Sequence, residues 1–478
     1  MKKMFIDGQW VEAFNNEVID VIDPADSRVL YQIPRGEKQD VDQAVKAARS
    51  AFESERWQTF QPHERGRLLH KMSKLILRDK EEVAIMETLD TGKPISQAKA
   101  DVEAGARYFE YYSGIADKVF GETIPIEAGI LDYTVREPMG VTAHIIPWNY
   151  PLQIASRSVA AAIATGNTVV LKPAEDTPSS ALKLAELFEE AGLPKGVYNV
   201  VTGLGHEAGA ALTAHPDLNQ ITFTGSVATG MQVMAAASKS VIPVTLELGG
   251  KSPNIVFEDC PWDDALNWVV RSIVQNAGQT CSAGARLLVH QAIHEKFVSD
   301  VCARMETLKI GRGIEDPDLG PILSKKQFDR IGLFLEKAKK EAKILTGGER
   351  ACVGQAEAGY YIQPTVIDQV DPRSALAQEE IFGPVLTVFP FKDEEEALHL
   401  ANGTPYGLVA GIWTKDVSRA HRLAGKIRAG QIFINNYGAG GGIQMPFGGY
   451  KKSGFGREKG LEALRNYTQL KNVAVKYT

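Results

Sequence analysis

Val141-Thr142-Ala143-His144-Ile145-Ile146 is followed by three more short apolar runs: Thr168-Val169-Val170-Leu171, residues 197–201 and residues 220–223. Between the second and third lies a stretch of helical periodicity, residues 179–191, which stops at Gly192-Leu193-Pro194. Strands alternating with helices predict a parallel sheet with right-handed crossovers. Such sheets bind ligands at the C-terminal ends of their strands, and Lys172 and Gly225 both stand at such ends. Upstream, Val41, Ala44, Val45, Ala48 and Phe52 recur at helical spacing, with Asp40 as the expected N-cap. Leu68, Leu69, Met72, Leu75 and Ile76 make a second stripe. Downstream the alternation resumes at 254–257, 286–290, 385–389 and 431–435, which predicts a second α/β unit.

Two segments break this rhythm. Residues 124–126 and Leu131, Tyr133 and Val135 flank the turn Glu127-Ala128-Gly129, a hairpin signal. Val473, Val475 and Tyr477 alternate with polar residues at the other end of the chain. An apolar-faced hairpin and a free terminal strand are edge liabilities in a monomer, so pairing with another subunit is expected to cover them.

A chain of 478 residues exceeds one hydrophobic core, so two or three domains are expected. With 44% hydrophobic and 23% charged residues it has the composition of a soluble globular protein. A net charge of −6 gives no electrostatic support to nucleic-acid binding. No apolar run approaches the roughly 18 residues of a membrane span. Residues 1–7 lack the apolar core of a signal peptide. The four cysteines show no CxxC pairing, and a reduced, cytoplasmic protein is the expectation.

The chemistry concentrates in a few short runs. Cys281 lies in Gln279-Thr280-Cys281-Ser282-Ala283-Gly284, whose small neighbours let a substrate approach the backbone. Taken alone it could be a small buried hydrophobe. Glu247 opens Glu247-Leu248-Gly249-Gly250-Lys251 at the end of an apolar run, where a solvated strand-end acid is the plain alternative. A thiol that attacks a carbonyl and a carboxylate that activates water are what a covalent mechanism with a later hydrolysis needs. Asn149 lies in Ile145-Ile146-Pro147-Trp148-Asn149-Tyr150-Pro151, where an Asn between prolines is otherwise a turn former. Leu171-Lys172-Pro173-Ala174-Glu175 ends one strand, and Gly225-Ser226-Val227-Ala228-Thr229-Gly230 follows another, at a strand-to-helix turn suited to a pyrophosphate. Neither this turn nor Gly203-Leu204-Gly205 is a GxGxxG fingerprint. Gly249-Gly250-Lys251-Ser252 suggests half a P-loop, but the upstream glycine is missing, with Thr245 in its place, and a nucleoside triphosphatase is rejected. Glu379-Glu380-Ile381-Phe382-Gly383-Pro384-Val385, Pro446-Phe447-Gly448-Gly449-Tyr450-Lys451 and Ser453-Gly454-Phe455-Gly456-Arg457 complete the set.

In this order these runs resemble the aldehyde dehydrogenase superfamily, of the hydrolytic, NAD(P)-dependent type, from about Phe5 to about Tyr477. The resemblance implies an α/β fold: a Rossmann-like dinucleotide-binding domain (1–119 and 141–248), an α/β catalytic domain (249–450) and a small β oligomerisation element (120–140 and 451–478). It implies Cys281 as nucleophile, Glu247 as general base and Asn149 as oxyanion donor, with no metal. A partly desolvated Glu247 would have its pKa raised, as a base requires. The implied cofactor contacts are Ile145, Ile146, Pro147, Trp148, Lys172, Glu175, Gly225, Ser226, Gly230, Leu248, Glu380 and Phe382. A carboxylate at 175 accepts from ribose hydroxyls and repels a 2′-phosphate, which favours NAD over NADP.

Tyr150, Arg157 and Phe447 are the implied substrate residues. Arg157 could pair with a carboxylate or phenolic oxygen, as in succinate-semialdehyde and hydroxybenzaldehyde dehydrogenases, or turn to a neighbouring acid. Gly438-Ala439-Gly440-Gly441-Gly442 lacks the aromatic of many relatives and suggests a wider pocket. The expected partners are a small-molecule aldehyde and further copies of the chain, as a homodimer or homotetramer. Two alternatives stay open: a coenzyme A-acylating dehydrogenase, against which Glu247 argues, and a non-catalytic protein on the same fold.

Overall fold

A computed structural model describes residues 2–353, 359–438 and 442–477. Two large sheets carry the molecule. The first has eight strands in the order Gly454–Phe455, Val244–Glu247, Gln220–Thr224, Val141–Ile145, Thr168–Lys172, Tyr198–Val200, Met4–Ile6 and Gln9–Val11. The five from Val244–Glu247 to Tyr198–Val200 run parallel, and the outer ones are antiparallel. The chain runs outward from Val141–Ile145 in one direction, then returns to its other side with Gln220–Thr224. The crevice of this sheet therefore opens where Ile145 and Thr224 end.

The second sheet has the order Lys343–Thr346, Thr365–Asp368, Val385–Phe391, Arg286–His290, Pro253–Val256, Val409–Trp413 and Gln431–Ile434, parallel except for its first strand. Gly249-Gly250 and the Cys281 loop lead directly into Pro253–Val256 and Arg286–His290. Carboxyl ends of the first sheet thus face amino ends of the second. The expected α/β architecture with two parallel-sheet units is present.

The helix Pro151–Ala164 explains how one edge of the crevice is held. Pro151 sits in its first turn, where the missing N–H costs nothing. Alanine and branched aliphatics follow on every side, and all but Gln153 are buried. A helix apolar all round belongs inside a protein, and this one packs on Ile95–Ser113 and the strand Thr168–Lys172. Arg157 lies in its middle, so its charge cannot reach water and must find a partner.

Two local expectations need correction. Asp40 is not the N-cap of Lys38–Glu53; it is the third helical residue and accepts from the backbone N–H of Glu37 at 2.8 Å, one half of a capping box. The terminal strand is not free. Thr468–Lys476 pairs along its whole length with Ile130–Pro138, which in turn pairs with Thr123–Ile124. The segment 451–478 is also divided, since Gly454–Phe455 joins the first sheet beside Leu246 and Glu247. No helix among the described residues is long and apolar enough to cross a membrane.

Candidate active site

Cys281, Glu247 and Asn149 converge at the junction of the two sheets. Each stands where regular structure ends: Glu247 closes a strand, Asn149 precedes a helix, and Cys281 follows a kinked turn. In that turn Asn276 and Ala277 hold left-handed backbone, at φ 49° and 52°. Such residues cost about 1–3 kcal/mol each and persist only where the surroundings over-determine them. Here Asn276 Nδ2 donates to the Asn149 carbonyl at 3.0 Å, and its own N–H donates to Gln97 Oε1 at 3.0 Å.

Asn149 is bound at both ends. Its Nδ2 donates to the Gln279 carbonyl at 2.9 Å, two residues before the thiol. An amide nitrogen carries two protons, so one donor is left over. Tyr150 shares a 2.8 Å hydrogen bond with Thr280 Oγ1, which ties the same two segments again.

The electrostatics divide the roles. Burial pushes the Cys281 thiol up to about 12, Arg157 opposes this, and Glu380 and Glu247 add to it. Glu247 is 2% exposed, and neither carboxylate oxygen accepts a hydrogen bond from the described residues. Burial raises its pKa well above the carboxylate range, the neighbouring Glu458 raises it further, and Arg157 pulls the other way. This is the environment of a carboxyl poised to take a proton.

Arg157 has found its acid. It forms an ion pair with Glu458, 1% exposed, and lies 5.3 Å from the centre of the Phe447 ring. Phe447 and Glu458 are themselves joined by two backbone hydrogen bonds of 2.6 and 2.7 Å. Lys459 stands 5.1 Å from the same ring, and burial lowers its pKa to about 8. Arg157, Arg457, Glu458 and Lys459 thus set the electrostatic surroundings of Glu247, and Arg157 and Lys459 also act on Cys281. The Gly438–Gly442 loop lies partly outside the described residues, at 439–441.

A dinucleotide fits the remaining residues. Lys172 and Glu175 are paired at 2.9 Å at the end of their strand, and the pair holds Glu175 below its usual range against the opposing effect of burial. Ser226 caps the helix Val227–Ala237, whose N-terminus points into the crevice. Leu248 covers Gly230, where a Cβ would approach its side chain to 2.7 Å. Glu380 Oε1 accepts from the Gly250 N–H at 2.9 Å, and Arg330 donates to the carbonyls of Glu380 and Ile381. Burial raises the Glu380 carboxyl to about 7. A Cβ on Gly249 would overlap that carboxylate, and one on Gly250 would stand 2.6 Å from the Cys281 carbonyl oxygen. Phe382 holds left-handed backbone at φ 63° and meets Trp148 edge to face at 5.2 Å. Ile145, Ile146 and Pro147 lead from the strand end to Trp148 along one wall.

Sequence reading missed Lys93, Asn276, Glu458 and Lys459. The signal for Lys93 was a lysine wedged between Gly92 and Pro94. For Glu458 it was an acid continuing the Gly-rich run that ends at Arg457. Among the described residues no group of His, Cys, Asp and Glu could hold a metal ion.

Comparison with known proteins identifies the family. Residues 10–473 match the model of the aldehyde dehydrogenase family. The structure is similar to the NAD+ complex of an aldehyde dehydrogenase from Bacillus cereus, at 44% identity and a TM-score of 0.97, covering 100% of this chain and 97% of that one. The sequence is 46% identical to an aldehyde dehydrogenase of Emericella nidulans, over 98% of this chain and 94% of the relative. It is 42% identical to a betaine aldehyde dehydrogenase of Bacillus subtilis, over 98% and 96% respectively.

Proposed function

This chain belongs to the aldehyde dehydrogenase family, and from that premise we propose that it oxidises an aldehyde to the carboxylic acid with NAD, by way of a thioester on Cys281. The observation that carries this is the meeting of Cys281, Asn149 and the buried Glu247, whose oxygens accept no hydrogen bond from the described residues, at one junction. The similar Bacillus cereus enzyme was solved with NAD+, and Glu175 favours ribose hydroxyls over a 2′-phosphate.

The thiol gives its proton to water, and its sulfur bonds to the aldehyde carbon. The free N–H of Asn149 and the backbone N–H at the thiol receive the new oxyanion; one such donor is worth about 3–4 kcal/mol in the transition state. Bound NAD would supply the acceptor for the hydride whose departure leaves the thioester. Glu247 then takes a proton from water, whose oxygen attacks the thioester carbon and releases the acid and the thiolate. Glu380, held by Gly250 and Arg330, and Phe382 orient the nicotinamide end, while Lys172 and Glu175 hold the adenosine end.

Phe447 and Tyr150 are the walls we assign to the substrate. Arg157 spends its charge on Glu458. A second reading has support from the two cations flanking Phe447, Arg157 and Lys459. They favour an aldehyde that carries an acceptor of its own, such as a semialdehyde carboxylate or a phenolic oxygen. We further propose a cytoplasmic homodimer or homotetramer. The three-stranded sheet leaves Leu131, Leu470, Val475 and Tyr477 exposed, and a second copy would cover them; light scattering in solution tests this.

The central test is to quench the enzyme during turnover with an aldehyde and NAD, digest it and weigh the peptides. An acyl adduct is expected on the peptide that carries Cys281. Turnover with no adduct there, at any quench time, would refute the mechanism.

A further inference from the structure

Lys93 is entirely buried, between the helices Lys80–Thr91 and Ile95–Ser113, and it reaches the active site. Its Nζ donates to the carbonyl oxygen of Asn149 at 2.9 Å. The same nitrogen is 2.5 Å from Asp101 Oδ2 and 3.5 Å from Glu87 Oε1. It also lies 4.3 Å from the centre of the Tyr150 ring. Of the three donors of this ammonium, two are accepted by Asp101 and the Asn149 carbonyl, while Glu87 adds a longer ion pair without a hydrogen bond.

Stability is a poor reason for this arrangement. Ion pairs this deep rarely outperform well-packed apolar side chains, because desolvation offsets the attraction. What the ammonium does that a methyl group cannot is grip one particular carbonyl. That carbonyl also accepts from Asn276 Nδ2 at 3.0 Å, while the amide of the same Asn149 is bound to the Gln279 carbonyl. Asn149 is thereby fixed between a cluster in the first unit and the left-handed turn that carries the thiol. Relaxing one end would let its remaining N–H swing away from the reacting carbonyl.

We propose that Lys93, anchored by Asp101 and Glu87, is a positioning residue for thioester formation, acting through the main-chain carbonyl of Asn149 to aim that residue's amide. The inference rests on the reading of Asn149 as oxyanion donor. Lys93 touches neither substrate nor cofactor, so its effect belongs on the acylation rate and not on binding.

Rapid mixing of enzyme, NAD and a reactive aldehyde reads the first burst of NADH, and NAD affinity is measured separately by fluorescence. Asn149→Ala should slow the burst about 100-fold or more. Lys93→Met should slow it at least tenfold, with the NAD dissociation constant within twofold of the parent. In the Asn149→Ala background, Lys93→Met should cost less than a further threefold, because its effect passes through a group no longer there. Asp101→Asn keeps the amine and loosens its anchor. It should slow the burst less than Lys93→Met does, again with no further loss on top of Asn149→Ala; should Lys93→Met not fold, this pair carries the test. A parental burst rate in folded Lys93→Met, or losses that multiply with those of Asn149→Ala, would overturn the proposal. A parental burst rate in Asn149→Ala would instead overturn the oxyanion reading itself.

Discussion

Replacing Glu247 by Gln isolates one proton. The two side chains have the same shape, and Glu247 receives no hydrogen bond from the described residues that an amide would forfeit. Asn149 and the Gln279 carbonyl that binds it are untouched, and loss of the Glu247 charge removes one of the influences that raise the Cys281 thiol, which does not hinder its attack. Thioester formation should therefore proceed and release close to one NADH per active site. Hydrolysis loses its base, and a positioned base contributes about 10²- to 10⁴-fold, or roughly 3–5 kcal/mol of barrier. Steady turnover should fall by at least about 100-fold. The parent's hydrolysis rate should climb with pH as Glu247 ionises from its raised pKa, and the variant's should lack that limb. Stability gives an independent check. A carboxyl whose folded pKa lies above its unfolded one holds its proton more tightly when folded. The stability this supplies is complete below the unfolded pKa and is lost as pH rises from the usual carboxylate range through the folded pKa. Gln cannot titrate, so the melting temperature of Glu247→Gln relative to the parent should rise as pH increases. Stopped-flow absorbance and thermal melts from pH 5 to 9 read both effects. A missing burst, steady turnover within fivefold of the parent, or a melting difference that falls with pH would refute the reasoning.

Other outcomes follow from the same geometry. Gly249→Ala should push Glu380 from its seat and weaken NAD binding at least about tenfold, since only interactions matched to within about half an ångström hold; fluorescence titration at parental affinity would contradict it. In the protein without NAD, alkylation of the Cys281 peptide should rise about tenfold per pH unit from 7 to 10, because the thiolate fraction follows a pKa of about 12; a plateau below pH 9 would contradict this. Arg157→Met strands a buried Glu458 and should lower stability by about 3–5 kcal/mol, and adding Glu458→Gln should recover most of it. If Arg157→Met folds and its rates for succinic semialdehyde, hydroxybenzaldehydes and linear aldehydes keep their ratios, recognition of an anionic group by Arg157 fails.

The chain's local order was enough to read the strands, the helix 179–191 and the motif runs. Each is a pattern of neighbours, in which apolar spacing sets an element and small residues mark a close approach. Cys281, Glu247 and Asn149 could be singled out because each sits inside a run that resembles the aldehyde dehydrogenase family, and the roles proposed for them come from that resemblance. Where Arg157 spends its charge was not legible, because Glu458 lies in a different segment and only folding brings the two together. Lys93 was missed on the same ground: its acceptor is 56 residues away, and nothing in Thr91-Gly92-Lys93-Pro94 names it. The terminal strand looked unpaired because alternation reveals a strand but not its neighbour.

By itself, then, the sequence determined the α/β class and the alternation of elements, consequences of short-range spacing, and it marked the candidate reactive groups through runs that resemble a known family. The tertiary structure alone decided how those groups are poised. It buried Glu247 beside Glu458, raised the Cys281 thiol, paired Arg157 and put Lys93 behind Asn149. Desolvation and charge pairing depend on what surrounds a group in space, and that is set only when carboxyl ends of one sheet meet amino ends of the other.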